Sequence, residues 1–184
     1  AHEETGNLIS YKRDIEIRNW AIKKSVKFIE NPQNGVVRKL QSRDGWSKIW
    51  NQRMSEKLIP APTSIQTPPN INTGELRSSK DFDLRHSKIN KISDGGEQNA
   101  HECLDSFLNT RGQNYQKEMS SPVTAFDSCS RISPYLTFGN ISMKSVFQKS
   151  KERANEIKSL SNDEKIKNKG WCNFTAKNCK MRAW

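Results

Sequence analysis

A long polar stretch in the middle of the chain limits what the protein can fold into. Residues 55–96 are mostly polar, and four of the seven prolines lie between Pro60 and Pro69. Only 33% of the 184 residues are apolar, so the hydrophobic side chains are too few to build one continuous core across this stretch. We therefore expect two separately packed parts joined by a linker.

The part before the linker has the pattern of an α/β layer. In residues 11–24 the apolar side chains fall near a helical period, and residues 26–30 alternate like a short strand. After a turn cluster, Asp44 is placed to cap a second helix that carries tryptophans on one side. Residues 1–55 are thus predicted to complete an α/β sheet that begins upstream.

The part after the linker changes to a helical period. Residues 95–96 form a Gly-Gly break, and apolar residues then follow at i, i+3, i+4, i+7 and i+8: Ala100, Cys103, Leu104, Phe107 and Leu108. A further helix is predicted to begin with Ser142 as its N-cap, and another to span residues 164–184 with an interruption near Gly170. Residues 95–184 are therefore predicted to be all-α.

The charge and the cysteine content restrict the kinds of partner and metal site that the sequence predicts. The formal net charge is +11, and residues 141–184 carry eleven Lys or Arg against four Asp or Glu, so we expect an anionic partner there. An AT-rich codon bias, which favours Lys and Asn, explains the same surplus without a partner. The four cysteines form no C-x-x-C pair, which indicates reduced thiols and argues against a zinc site.

Targeting signals and chain ends point to an internal piece of an intracellular protein. The sequence has no apolar run of membrane-spanning length and no signal-peptide pattern, which predicts a soluble, cytoplasmic protein without a membrane partner. The chain opens on Ala1 without a Met and closes on Trp184 within a basic amphipathic stretch. We therefore expect a fragment of a longer protein.

The segment at 128–142 is the most informative for chemistry. Ser128, Ser130 and Ser133 place three hydroxyls within six residues, together with Arg131 and ahead of a proline suited to the first turn of a helix. Free N–H groups at a helix start, beside serine hydroxyls, suit a diphosphate. The alternative is that the serines are only N-caps and turn residues, and the arginine a surface charge.

These residues belong to a longer ordered pattern. It runs in sequence through Gly95-Gly96-Glu97, Ala100, Leu104, Phe107-Leu108, Arg111, Tyr115, Ser130-Arg131-Ile132-Ser133-Pro134-Tyr135-Leu136 and Phe138-Gly139-Asn140-Ile141-Ser142. This order resembles the flavin domain of the photolyase/cryptochrome family. The first part of the chain is similar to the later part of that family's α/β antenna domain at His2-Glu3-Glu4-Thr5-Gly6, Arg13-Asp14, Trp20, Asn34-Gly35-Val36-Val37, Arg43-Asp44-Gly45-Trp46, Pro60 and Pro62.

The resemblance implies a fold and a cofactor site. Residues 1–55 would be the carboxyl-terminal part of a Rossmann-like α/β antenna domain, 56–94 an interdomain linker, and 95–184 the amino-terminal part of an all-α FAD-binding domain. The FAD-phosphate contacts of the family fall on Tyr115, Cys129, Ser130, Arg131, Ile132 and Ser133. Cys129 stands where the family often has Thr, so a weak thiol donor replaces a hydroxyl.

The resemblance also implies a function. A DNA photolyase is a lyase in which light-excited reduced FAD donates an electron to a pyrimidine dimer flipped from the DNA, with a second antenna chromophore as a possible addition. The full-length protein would be a monomer that binds dimer-containing DNA. A cryptochrome-like photoreceptor and a basic nucleic-acid-binding module without flavin are the alternatives. No catalytic residue is assigned, and we expect the fragment alone to bind FAD poorly.

Two weaker patterns favour structural roles. His2-Glu3-Glu4 lacks a convergent third or fourth ligand, so no metal site is predicted. Four tryptophans are predicted to pack rather than to carry electrons: Trp46 and Trp50, one helical turn apart, and Trp171 and Trp184 in the basic part.

Overall fold

The chain is helical wherever it forms regular structure in the described residues. A computed structural model describes residues 2, 7–32, 37, 40–82 and 93–176. The α-helices are α1 Leu8–Lys23, α2 Trp46–Ser55, α3 Glu97–Asn109, α4 Tyr115–Glu118, α5 Ala125–Ser128, α6 Ser133–Thr137, α7 Met143–Ser159, α8 Asn162–Lys167 and α9 Lys169–Ala176, with 3-10 turns at Ser79–Phe82 and Arg111–Asn114. None of these helices is both long and apolar enough to cross a membrane.

The α/β part of the fold prediction is not supported. In the described part of the chain there is no sheet, and β pairing is limited to an isolated parallel bridge between His2 and Asn31. Residues 26–30, predicted as a strand, belong to no strand in the described part of the chain, and Val26 and Ile29 are 50% and 55% exposed. Alternating side chains form a strand only when another strand pairs with them, so the pattern alone was insufficient.

At the end of α1 the chain forms a helix-terminating turn where the strand was expected to begin. Ser25 adopts a left-handed backbone with φ 54°, and the Val26 N–H donates to the Ala21 carbonyl at 2.9 Å. The Ser25 N–H donates to the Ile22 carbonyl at 3.2 Å, which completes a Schellman-type helix end. The predicted helix is confirmed, and it begins slightly earlier than expected because the Asn7 side chain caps the Ile9 N–H at 2.8 Å.

The hydrophobic core of the described chain lies after the linker. Apart from Ala21 and Met54, all buried hydrophobic residues lie between residues 100 and 171. The helix predicted from its apolar spacing is α3, and its buried residues are Ala100, Leu104, Phe107 and Leu108. The all-α prediction for this part is therefore confirmed in the described residues.

Helix starts in the second part follow the sequence closely. Gly96 is the N-cap of α3 with φ 108°, which matches the Gly-Gly break. Ser142 is the N-cap of α7 and accepts from the Ser145 N–H at 3.0 Å, as predicted. The last predicted helix is divided into α8 and α9 near Gly170, while residues 177–184 lie outside the described residues.

Helix α2 packs on the second part of the chain. The Trp50 ring meets Phe147 of α7 edge-on, with centroids 5.1 Å apart. The Gln148 side chain donates to the carbonyls of Met54 at 2.9 Å and Glu56 at 2.7 Å. Residues at the predicted domain boundary are therefore fixed to α7, while the following residues 57–78 are exposed. The division into domains at 55 and 95 stays a prediction.

Candidate functional site

The predicted phosphate-binding segment is a turn between two short helices. Helix α5 ends with Cys129 in an extended conformation, and Arg131 then adopts a left-handed backbone with φ 57°. Helix α6 begins at Ser133 with a proline in its first turn, as predicted. Its N-cap residue is Ile132, which makes no side-chain cap, so Ser133 is the first residue of the helix and not its N-cap. The alternative that the serines are only turn residues stays open, since Ser130 lies in the turn.

The guanidinium of Arg111 holds this turn from inside. It donates through Nη1 to the Cys129 carbonyl and through Nη2 to the carbonyls of Ser130 at 3.2 Å and Cys103 at 3.0 Å. Its Nε donates to the Ser106 hydroxyl at 3.0 Å. Two carbonyls of the turn are therefore occupied by a cation that also binds α3, which fixes the turn to the core.

Burial and neighbouring charge shift two titratable groups here. Burial, and then the nearby cation of Arg131, lower the pKa of Arg111. Burial also raises the pKa of the Cys129 thiol, and the Arg111 cation offsets part of that rise. The Cys129 side chain is therefore a protonated, weakly polar group rather than a thiolate.

The predicted contact residues have different exposures. Tyr115 and Ile132 are 4% and 0% exposed and belong to the same hydrophobic core. Ser130 is also buried, at 6% exposure, and its carbonyl accepts a hydrogen bond from the Cys103 thiol at 3.2 Å. Ser133 is exposed at the start of α6. Tyr115 therefore shares the hydrophobic core with Ile132 of the turn, and Ser133 faces solvent.

Arg131 lines an open cleft of about 540 Å³ next to the turn. Its guanidinium lies 4.6 Å from the centroid of the Phe126 ring, and its buried Nε has no hydrogen-bond partner among the described residues. Tyr135 also lines the cleft, and its hydroxyl donates to the Asp94 carbonyl at 2.9 Å. Sequence reasoning missed this cleft because it joins α3, α5 and α6 with the end of the linker.

The predicted packing is confirmed for Trp46, Trp50 and Trp171, while the absence of an electron-transfer role stays a prediction. Trp46 and Trp50 are stacked with centroids 6.3 Å apart. Trp171 is 4% exposed in the core, with the Arg153 guanidinium 5.3 Å from its ring centroid. Trp184 lies outside the described residues, as do Glu3 and Glu4 of the weak metal pattern. No cluster of metal-ligating side chains occurs in the part of the chain that the structure describes.

Arg111 is the residue whose role the sequence did not reveal. It stood in the family-like pattern, but only as one matching position near the end of a helix. Its acceptors, at Cys129 and Ser130, lie eighteen and nineteen residues further along the chain. An arginine directly after a helix, ahead of a Ser-rich turn, is the signal that this contact leaves in the sequence.

Comparison with known proteins adds no relative. The chain matches no family model, no curated protein and no solved structure.

Proposed function

We propose that this chain is part of a light-dependent DNA-repair flavoprotein of the photolyase type. The turn at 129–133, together with Tyr115, would bind the diphosphate of FAD. The observation that carries the proposal is the use of Arg111 to occupy the carbonyls of Cys129 and Ser130. With two acceptors of the turn neutralised, the N–H and the hydroxyl of Ser133 at the start of α6 would face a diphosphate with less opposing charge, while Pro134 contributes no N–H.

Each residue would have a limited task in this site. Ser133, exposed at the start of α6, would donate its hydroxyl to a phosphate oxygen. Ile132, which is fully buried, anchors the turn in the core and would contribute through its backbone. The bound FAD would supply the light-driven electron transfer, while the protein binds it, orients it and excludes water.

The basic residues of α7 to α9 support a DNA partner. Some of them are engaged within the protein, because Lys144, Lys149 and Arg153 form ion pairs with Glu56, Asp105 and Glu156 at 2.9–3.1 Å. Other lysines are exposed: Lys151, Lys158, Lys167 and Lys169. Exposed lysines of this kind bind phosphates electrostatically, so affinity for DNA would fall steeply with salt.

The decisive measurement is flavin absorption by the purified full-length protein, before and after Ser133→Asp. A carboxylate at the start of α6 favours the helix but repels a diphosphate, so flavin content should fall while helicity is kept. Ser142→Asp is the matched control, because it places the same charge at the N-cap of α7, where Asp caps as well as Ser. Absence of flavin in the wild-type protein would refute the proposal and favour the nucleic-acid-binding module.

Photoreceptor and repair functions are separated by the reaction itself. Light-dependent reversal of pyrimidine dimers in damaged DNA is expected for repair, and flavin absorption without reversal would identify the cryptochrome-like alternative. The exposed lysines favour repair, because a DNA substrate requires an electrostatic surface of this kind.

A further inference from the structure

Arg111 binds the turn at 129–133 and Arg131 is one of its residues, but the two guanidinium groups have different partners. Arg111 donates to the carbonyls of Cys103, Cys129 and Ser130. Arg131 is held by its contact with the Phe126 ring, and its buried Nε has no hydrogen-bond partner among the described residues. A buried donor without an acceptor costs free energy, and the half-buried side chain of Arg131 also lines the cleft, so an acceptor from outside the protein can reach this cation there.

The backbone at Arg131 points to the same conclusion. Its φ of 57° is unusual for a residue with a long side chain, since this conformation favours glycine and asparagine. Strain of this kind persists where the surrounding structure imposes it, and it is concentrated at binding sites. The strained backbone here directs a cationic side chain into the wall of the cleft.

The cleft has positive charge in its wall and exposed negative charge at its rim. The cation of Arg131 is partly buried, and the nearby cation of Arg111 adds to the positive potential. The carboxylates of Asp94 and Glu102 are exposed at the cleft. A ligand with a single negative charge would meet these carboxylates, whereas one with a negative end and a positive end would satisfy both regions.

We propose that this cleft binds a small zwitterion of the amino-acid or dipeptide class. Its carboxylate would accept hydrogen bonds from Arg131, and its ammonium group would lie near Asp94 and Glu102. An apolar side chain would pack against Phe126 and Tyr135. The cleft volume of about 540 Å³ lies within the range of ~300–1,000 Å³ typical of small-molecule sites. The cleft lining includes Arg131 of the turn proposed for FAD but neither Tyr115 nor Ser133, so a competition measurement decides whether the two ligands share the site.

Titration calorimetry of the full-length protein with the dipeptide alanyl-phenylalanine tests the proposal. The free dipeptide should give saturable binding. Its carboxyl-terminal amide and its N-acetyl form each lack one charge, and each should bind about tenfold more weakly or worse. Binding of the amide as tightly as the free dipeptide would overturn the proposal, and so would the absence of saturable heat with the free dipeptide.

Variants assign the two ends of the ligand. Arg131→Gln should weaken binding of the free dipeptide about tenfold and leave the affinity for the amide unchanged. Glu102→Gln, an exposed position, should weaken binding of the free dipeptide but leave the affinity for the N-acetyl form unchanged. Arg77→Gln and Glu75→Gln are matched controls at exposed positions in the linker and should have no effect. Equal losses in a control and its matched variant would refute the assignment.

Flavin content, measured in the same samples, separates this proposal from the proposed function. Dipeptide binding by a protein without flavin would sustain the cleft site while the flavin site fails. Competition between added FAD and the dipeptide would show that the cleft is part of the flavin site, and it would overturn the separate ligand. Circular dichroism shows which variants are folded; should Arg131→Gln unfold, the charge-deleted dipeptides and Glu102→Gln still decide the outcome.

Discussion

The helices α1 and α3 have similar lengths, sixteen and thirteen residues, but they bury their apolar side chains to very different extents. In α1 the buried residue is Ala21, and large apolar side chains such as Trp20 and Ile22 are 55% and 69% exposed. In α3 four residues are buried, with Leu104 and Phe107 at 0% exposure. Both sequences form helices, so the difference teaches that helical spacing specifies the helix while neighbouring elements specify the core.

Helix α2 is intermediate between α1 and α3 in how its apolar side chains become buried. It lies before the linker, yet Met54 is 1% exposed because α2 packs on α7. Burial in the first part of the described chain therefore depends strongly on contact with the second part. The following substitutions test this comparison in order of decreasing expected effect.

Phe107→Ala should have the largest effect. It removes a fully buried ring from the core and should lower the free energy of unfolding by about 3–5 kcal/mol. The matched change Trp20→Ala removes a ring that is 55% exposed and should change it by less than about 0.5 kcal/mol. Urea unfolding followed by circular dichroism measures both. A large loss from Trp20→Ala would show that α1 is covered in solution.

Gly112→Ala should have the second-largest effect. An added Cβ would lie 2.7 Å from the Phe107 carbonyl oxygen and 3.2 Å from the Trp171 ring, so the 3-10 turn would have to move. Overpacking of this kind costs about 1–3 kcal/mol. Gly95→Ala is the control, because nothing lies within 4 Å of its added Cβ. Equal thermal unfolding midpoints for the two variants would contradict a tightly packed second part.

Gln148→Ala cuts the connection between the two parts. It removes hydrogen bonds to the carbonyls of Met54 and Glu56, each worth about 1 kcal/mol. Hydrogen exchange should accelerate in α2 while α3 stays protected. The control Gln98→Ala removes a hydrogen bond to Glu102 on the exposed face of α3 and should leave exchange in α2 unchanged. Uniform acceleration in both helices would mean that α2 is integral to the core.

Ser161→Ala should have the smallest effect and should reveal a property that the two parts of the chain share. The Ser161 hydroxyl and Glu164 form a capping box at the start of α8, while Asn7 caps α1, so Ser161→Ala and Asn7→Ala should each cost about 1 kcal/mol of local helix stability. Capping is local, so it should act alike before and after the linker. Helicity by circular dichroism measures it, and a loss at only one cap would contradict this equality.

The pH dependence of the same box follows from its hydrogen bonds. Ser161 lowers the pKa of Glu164 below its ordinary value of 4.5, so the carboxylate favours the folded helix. Because the folded pKa is depressed, this stabilisation is present above pH 4.5 and is lost as the pH falls through the lower folded value. Ser161→Ala removes the hydroxyl but keeps the backbone N–H that also donates to Glu164, so it should reduce this acid-induced loss in α8, which a helicity titration between neutral and acidic pH would detect.

Local sequence signals predicted the described fold where the contacts are also local. The period of α3, the N-cap Ser142 and the proline in the first turn of α6 all act within a few residues. The strand expected at 26–30 was wrong because a strand depends on a distant neighbour that spacing does not reveal.

In the candidate site, too, local features could be predicted from the sequence and long-range contacts could not. A turn ahead of α6 could be predicted from its serines and proline, since turn chemistry is local. The Arg111 contacts and the Tyr135–Asp94 hydrogen bond join residues 5 to 41 positions apart. Such contacts arise only when the helices pack, so the cleft had no signature in the sequence.

Both ends of the predicted linker are fastened to the helices after it. Glu56 is held by Lys144 and Gln148, and Asp94 by the Tyr135 hydroxyl. The chain between them is therefore a closed loop, and the entropy of closing a flexible loop grows only with the logarithm of its length. Doubling it costs about 0.6 kcal/mol, so the exposed residues 57–78 can accept an inserted reporter domain with little loss of stability.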